Sequence, residues 1–420
     1  MRVSTNEFLL GSLDQLLAQE STVNQLNQEI ATGQSMLDAT TDPAGAGLAL
    51  GVADRINQLA YDTANAQSGA QTIQNGLSVL QQVSTLLDQL RQIAEQGANT
   101  GATAATRQAL VSTAQNALQQ LVQLANSQGF DGSYIFAGSK ADQAPFQTLP
   151  DGQIVFSGDA GTNTIEIAPS VTVPVTLSGQ GIFMNIPAGN NGVAVTASAA
   201  NSGSAYAVSQ GVTSVSQLTA ERLAGTEYQI TFSAGSGGAL NYTVTSGTGS
   251  PGSASFSASS GTVASGAFSK GSDLLFGGVD VRIDATPAAG DRFTVVPAAT
   301  SSIFQTVQDL ISALQSFQSG QGANPPALQQ IENAIANLDG AQNNILGTQG
   351  TLGSSLHEIQ GVQQQDGSLS TSAQVQLTNL QSANLPPVLA SYSESVTALQ
   401  AAEAAFARIQ NLSLFSLIQP

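Results

Sequence analysis

Apolar positions recur through the first 130 residues at steps of three and four, and this spacing predicts long helices. Leu9, Leu13, Leu16, Glu20, Val23 and Ile30 keep a strict three-four alternation or its multiples, with Leu26 one place off the heptad. Such a stripe is a narrow coiled-coil seam, not the broad apolar face of a globular helix. Thr32-Gly33 ends it. Asp42-Pro43-Ala44-Gly45 then opens a second helix, with Asp as the capping acceptor and Pro in the first turn, where an amide is dispensable. That run carries Leu48, Val52, Ile56, Leu59, Ile73, Leu77, Leu80, Val83, Leu87, Leu90 and Ile93, and stops at Gly97 to Gly101. A third run passes through Leu110, Leu118, Leu121 and Leu124 and ends by Gly129.

The period then changes to two. Between Tyr134 and Met184, Ile154 and Phe156 alternate, then Ile165 and Ile167, then Val171, Val173, Val175 and Leu177. From about Pro187 to Thr300 the chain is rich in Gly, Ser and Thr and carries hairpin signals. Tyr228, Ile230 and Phe232 lead into Gly235-Ser236-Gly237-Gly238, and Leu240, Tyr242 and Val244 answer. Val279, Val281 and Ile283 pass through Pro287 to Asp291 into Phe293 and Val295. This stretch reads as a small all-β domain.

Helical spacing returns at Ile303, Val307, Leu310, Leu314 and Phe317, and again beyond Pro325-Pro326 through Leu328, Ile331, Ile335 and Leu338, then Leu352, Leu356, Ile359 and Val362. A last helix opens at Pro386-Pro387, with a seam of Leu389, Tyr392, Val396, Leu399, Glu403, Phe406 and Ile409. The expected fold is α+β: a long coiled-coil rod formed by both termini, a β-rich segment, and an inserted all-β domain. The expected domains are 1–45 with 375–420, the terminal coiled coil; 46–186 with 301–374, a helical rod with a short β segment; and 187–300, the inserted outer β domain. Residues Leu9, Leu13, Leu16, Val23 and Ile30 with Leu389, Tyr392, Val396, Leu399, Phe406 and Ile409 form the candidate assembly seam.

Composition narrows the function. Of the 420 residues only 9% are charged, while 41% are hydrophobic, so a core can form. The formal charge is −18, and the ten basic residues are scattered singly from Arg2 to Arg408. Gripping nucleic acid or an anionic membrane needs clustered cations, so neither is an expected partner. The absence of cysteine excludes disulfides, thiolate metal sites and thiol nucleophiles. No apolar run reaches the roughly 18 residues of a membrane span, and the first residues lack a cleavable signal pattern.

No chemistry assembles from the remaining residues. The one histidine, His357, stands beside Glu358 between the seam residues Leu356 and Ile359. A packing or solvated role suits it better than zinc binding, since carboxylates alone would have to complete the site. No Gly-x-Ser-x-Gly elbow and no phosphate-binding Gly-x-x-x-x-Gly-Lys motif occurs. No catalytic residue, metal or cofactor is expected. Glu20 and Glu403 fall on otherwise apolar seams, either as register devices or as edge positions facing solvent.

With these elements in place, a family resemblance emerges. The opening Met1-Arg2-Val3-Ser4-Thr5 resembles that of FlgL-type flagellar hook-associated proteins, within the flagellin superfamily. Ala31-Thr32-Gly33 through Thr41-Asp42-Pro43-Ala44-Gly45 is similar to the helix connection those proteins share with flagellins. Gly132-Ser133-Tyr134-Ile135-Phe136-Ala137-Gly138, Ala144-Pro145-Phe146, and the ending from Ala401-Ala402 to Leu414-Phe415 resemble the junction protein more than flagellin. The approach Asn384-Leu385-Pro386-Pro387 departs from the family's acidic, alanine-containing one. The resemblance implies paired terminal helices inside a tube, β domains outside, and export by the flagellar type III apparatus without signal cleavage. It also implies a homo-oligomeric ring at the hook–filament junction. The partners it implies are the FlgK-type first hook-associated protein, flagellin and a FlgN-type export chaperone. A flagellin filament subunit remains the near alternative. A secreted adhesin using the β domain, or a cell-wall hydrolase with a carboxylate pair, are the distant ones.

Overall fold

The computed structural model describes residues 5–35, 42–99, 101–189, 192–248, 256–297, 300–317 and 325–416. The chain divides into two compact units, residues 1–64 with 363–420 and residues 65–362.

The first unit holds helix α1 (Thr5–Thr32), the beginning of α2 (Pro43–Ala98), and, from later in the chain, the end of α6 (Pro325–Gln381) and α7 (Leu385–Ser416). Gly33 ends α1 in the left-handed region at φ 65°, and its amide donates back to the Glu29 carbonyl at 2.9 Å. Asp42 caps α2, its carboxylate accepting the Gly45 amide at 2.9 Å. The break between α1 and α2 lies beside the break between α6 and α7. Ser35 donates to the Gln381 carbonyl at 2.6 Å, and Ala383 donates to the Gly33 carbonyl at 3.0 Å. Gln34 and Ser382 face each other in this short antiparallel bridge. The end of α1 therefore sits by the start of α7, and the two helices pack along one another in antiparallel sense.

The second unit holds the rest of α2 and α6, with α3 (Ala104–Ala125), α4 (Val215–Ala224) and α5 (Ile303–Ser316). Thr103 and Ser302 cap α3 and α5 by accepting the amides of Thr106 and Gln305. Helix α5 buries Ile303, Phe304, Val307, Leu310, Ile311 and Leu314, one face at helical spacing. These pack with Leu80, Leu87 and Leu90 of α2, Leu121 of α3 and Ile331 and Leu338 of α6 in one core. Helix α6 runs unbroken through Gly340, where an added Cβ would press on the Pro187 carbonyl at 3.2 Å.

Two hairpins, β1 (Phe146–Thr148) with β2 (Ile154–Phe156) and β3 (Thr164–Ala168) with β4 (Val171–Pro174), lie against this core. A single π-helical turn, Gln180–Met184, drives Phe183 into it. There Phe183 meets Phe136, Phe146 and Phe304 at ring distances of 5.2, 5.4 and 6.1 Å. A two-residue pair, β5 (Ile186–Pro187) with β14 (Thr300–Ser301), joins the two ends of the stretch between them.

Within that stretch the strands are β6 (Val193–Ala197), β7 (Tyr206–Val212), β8 (Thr226–Ala234), β9 (Leu240–Thr248), β10 (Ser257–Ala267), β11 (Asp273–Phe276), β12 (Val279–Asp284) and β13 (Arg292–Pro297). They form a five-stranded antiparallel sheet ordered β10-β9-β8-β13-β6 and a three-stranded one ordered β11-β12-β7. The two sheets share a separate core that includes Val195, Tyr228, Ile230, Phe232, Val281, Ile283 and Phe293. The stretch is not all-β, because α4 lies within it. That helix buries no side chain, so it has no apolar period to betray it; only its Ser214 cap and left-handed Gly225 mark its ends.

Helix α6 holds both sheets at their edges. Gln329, Asn333 and Asn337 share one face at steps of four. The buried Gln329 amide both donates to and accepts from the Ala207 backbone at 2.7 Å, completing edge strand β7. Asn333 donates to the Val195 carbonyl of edge strand β6 at 2.6 Å and accepts from Gln329 at 2.9 Å. Asn337 accepts the Gly189 amide at 2.5 Å. Unpaired sheet edges invite foreign strands; here side-chain amides occupy part of them.

Candidate assembly site

The candidate seam lies in the first unit, on α1 and α7. Half-buried positions on α1 are Ser12, Leu16, Gln19, Val23, Leu26 and Ile30, a regular four-three alternation, with Glu29 beside the last. On α7 they are Val388, Tyr392, Ser395 with Val396, Leu399, Ala402 and Phe406, spaced the same way. Of the expected seam residues, Leu16, Val23, Ile30, Tyr392, Val396, Leu399 and Phe406 are half-buried. Leu13 and Leu389 are 40% and 49% exposed. Glu20 and Glu403 are also exposed, so neither acidic residue lies in the interhelical groove. The side chains of Leu9 and Ile409, and residues Met1 to Ser4 of the opening motif, lie outside the described residues.

The frame differs by one residue at alternate positions, in the same way on both helices. Sequence reading favours the bulkier apolar residue, so Leu13 displaces Ser12 and Leu389 displaces Val388. Two helices instead approach most closely over small side chains, and Ser12, Ser395 and Ala402 provide them. Gln19 is the exception in size. It is half-buried one place before Glu20, as an uncharged side chain where the predicted frame sets a charge. Leu26, which falls off the predicted heptad, falls on the observed one.

Displaced leucines leave an apolar outer surface. Leu10, Leu13 and Leu17 on α1, Leu48 and Leu50 on α2, and Leu385 and Leu389 on α7 are all at least 40% exposed. Among the described residues of this unit, Ala49 and Leu59 are the apolar side chains that are fully buried.

Two carboxylates escape the sequence reading. Asp62 of α2 and Asp366 of α6 are 4% and 5% exposed. Each sits in the apolar phase of its helix, Asp62 between Leu59 and Ala66, Asp366 following Ile359 and Val362. A carboxylate at such a position, rather than Glu20 or Glu403, was the legible signal. Burial raises the Asp366 carboxyl above its usual range, with the Asp62 charge adding to the effect and Arg55 opposing it.

His357 is exposed on α6, and no group of three His, Asp or Glu side chains among the described residues could hold a metal ion. A cavity of about 590 Å³ is an open groove in the second unit between α6 and the loop at Gly189, lined by Glu332, Asp339, Asn343 and Asn344 among others. No helix among the described residues is long and apolar enough to cross a membrane.

Residues 3–141 match the model of the bacterial flagellin N-terminal helical region. Flagellar hook-associated protein 3 of Salmonella typhimurium is 25% identical over 186 residues, covering 44% of this chain. The chain spans 58% of that relative's length. The crystal structure of flagellar hook-associated protein 3 from Legionella pneumophila aligns with a TM-score of 0.68 and 28% identity, covering 78% of this chain and 98% of that one. FlgL of Xanthomonas campestris aligns at 0.63 and 24% identity, over 77% and 97% of the two chains, a likeness of fold. The chain is therefore similar to the flagellin N-terminal helical region over residues 3–141 and resembles, in sequence and fold, the FlgL-type flagellar hook-associated proteins.

Proposed function

We propose that this chain is a structural component of the bacterial flagellum, a hook–filament junction protein that joins the hook-side ring to the flagellin filament. The observation that carries the reading is the antiparallel α1–α7 pair, whose seam is narrow and whose outer surface is leucine-rich. A pair built this way suits a subunit that completes its burial against neighbours. In this reading both termini form a coiled-coil rod in the terminal domain, 1–45 with 375–420. The stretch 187–300 is an inserted outer domain. Identical subunits close into a ring between a FlgK-type protein and flagellin. The chain leaves the cell unfolded through the flagellar type III apparatus, with no signal cleavage and with a FlgN-type chaperone covering the stretch from Phe406 to Ile418. The absence of cysteine fits passage through a narrow channel, since no crosslink can form.

A deletion strain tests the reading. Loss of the gene should leave hooks without filaments and release monomeric flagellin into the medium. Restoring the chain with Leu13→Asp and Leu389→Asp should return its export but not filaments. Normal filaments in the deletion strain would end the junction assignment.

A further inference from the structure

Between α3 and β1 the chain reverses tightly and carries an aromatic side chain at the tip. Gln128 and Tyr134 face each other in an antiparallel bridge, and the Gly129 amide donates to the Ser133 carbonyl at 2.8 Å. Inside this loop the Gly132 amide donates to the Gly129 carbonyl at 3.1 Å, closing a four-residue turn with Phe130 and Asp131 at its corners. Gly132 completes the reversal in the left-handed region at φ 81°. The Asp131 carboxylate is tied back, accepting the Ser133 amide at 3.0 Å and the Ser133 hydroxyl at 2.6 Å. At the base of the loop, Asn75 of α2 donates to the Gln128 carbonyl at 3.3 Å. On this braced turn Phe130 is 87% exposed, more than any other large apolar side chain among the described residues. Its ring adds nothing to the monomer's core. Held this firmly, it would lose little freedom on being buried by a partner, as aromatic anchors at interfaces do.

The same unit offers a recess that suits such a ring. Leu86 of α2 and Leu124 of α3 lie in the floor of a groove of about 370 Å³, with exposed Gln82, Gln89, Gln120 and Gln123 along its rim. No ionisable side chain lines it. Two copies of a chain with a formal charge of −18 repel one another, so they come into close contact most readily over neutral surface. A strongly charged partner would find no counter-charge in this groove. The leucine floor can take a ring, and the glutamine amides can donate to the carbonyls and to the Asp131 carboxylate that surround it. Phe130 does not fill the groove of its own chain, because its ring stands in water.

We propose that Phe130 of one subunit seats in the α2–α3 groove of the next copy of this chain. The inference rests on the ring reading above and gives that ring a named contact. Ring and recess are different surfaces, so the contact is head-to-tail. Each subunit gives one phenylalanine and receives another, and a closed circle leaves no groove unfilled.

The test places a photoreactive aromatic at the tip of the turn in the full chain. Phe130→p-benzoylphenylalanine is expressed in the deletion strain, and isolated hook–filament junctions are irradiated. Covalent multimers of this chain larger than dimers should form, with adducts mapped by mass spectrometry to the peptides holding Leu86 or Leu124. If that variant does not assemble, Gln123→p-benzoylphenylalanine probes the contact from the other side and should mark residues 129–132. Phe130→Ala should leave unfolding of the isolated chain unchanged, since the ring is not buried there. On cells, its filaments should detach under shear about ten- to a hundredfold more readily, the range that one phenylalanine side chain taken out of water represents. Gln123→Trp, which crowds the groove, should reproduce that defect. Adducts to flagellin or to another flagellar protein would overturn the proposal. So would adducts that stop at dimers, which mean a twofold contact, or normal filaments with no adduct at all. The deletion strain decides the junction reading separately: filaments that survive the deletion break that reading, whereas filaments restored without these adducts break only this contact.

Discussion

The two units of this chain are stabilised in opposite ways. Residues 65–362 enclose almost every fully buried apolar side chain described, in a helical core and in a second core between the sheets. Residues 1–64 with 363–420 bury Ala49 and Leu59 and leave a run of leucines in water. The helices of both units obey the three-four spacing, so helical periodicity does not separate them. What separates them is how many faces of each helix are covered. Helix α5 meets neighbours over a broad stripe and is self-sufficient; α1 meets α7 along a line. A helix covered along one line gains a fraction of the burial needed to offset its ordering, about 1–2 kcal/mol of backbone entropy per residue.

Proteolysis gives the largest expected contrast. Limited digestion of purified monomer should remove α1 and α7 and leave a resistant body starting near Gly45 and ending before about Pro386. If Thr5 to Ile30 stays protected in a sample shown to be monomeric by light scattering, the terminal pair stands by itself and the contrast fails. Phe183→Ala comes next, because it empties the centre of the Phe136, Phe146 and Phe304 cluster. It should cost about 3–5 kcal/mol of stability in denaturant unfolding of the second unit. Gln329→Ala should cost about 1–3 kcal/mol, since the Ala207 amide and carbonyl lose a buried partner at 2.7 Å each. Its local sign would be faster exchange of the Ala207 amide, with little change elsewhere. Leu13→Ala closes the series. In the monomer it should change stability by less than about 0.5 kcal/mol, while in a restored deletion strain it should weaken filament attachment. A monomer effect as large as that of Phe183→Ala would show Leu13 to be core after all.

Much of this molecule was legible from its residues, and the exceptions share a cause. Helix ends were marked by chemistry that acts within a few residues: Asp42-Pro43 opens α2 and Gly33 closes α1. The β8–β9 hairpin at Tyr228 was marked by period-two alternation. The hairpin expected from Val279 through Pro287 to Val295 does not form: β12 pairs with β11 and β7, and β13 pairs with β8 and β6 in the other sheet. The features missed all depend on what lies across a gap. Whether Ser12 or Leu13 faces α7 turns on how near the second helix comes, and nothing in α1 alone records it. Helix α4 touches its surroundings without burying a side chain, so alternation of apolar residues passes over it. Gln329, Asn333 and Asn337 form a polar stripe that reads as solvated surface until strand edges are brought against it. Asp62 and Asp366 sit at apolar phase in two helices far apart along the chain, and only the fold shows that both are buried.

The bridge at Gln34 and Ser382 sets which substitutions this part of the chain can accept. Its two hydrogen bonds run from main chain to main chain, so they do not depend on the identity of either side chain. Saturation mutagenesis should therefore find positions 34 and 382 permissive for most residues. Proline should fail at Ser35 and Ala383, whose amides donate. Gly33 should be the intolerant neighbour. Its surroundings have room for a side chain, yet its φ of 65° penalises every residue that carries a Cβ, least of all asparagine. A drifting sequence can thus rewrite the visible residues of this joint while leaving its geometry intact, and a single glycine would be the trace it leaves.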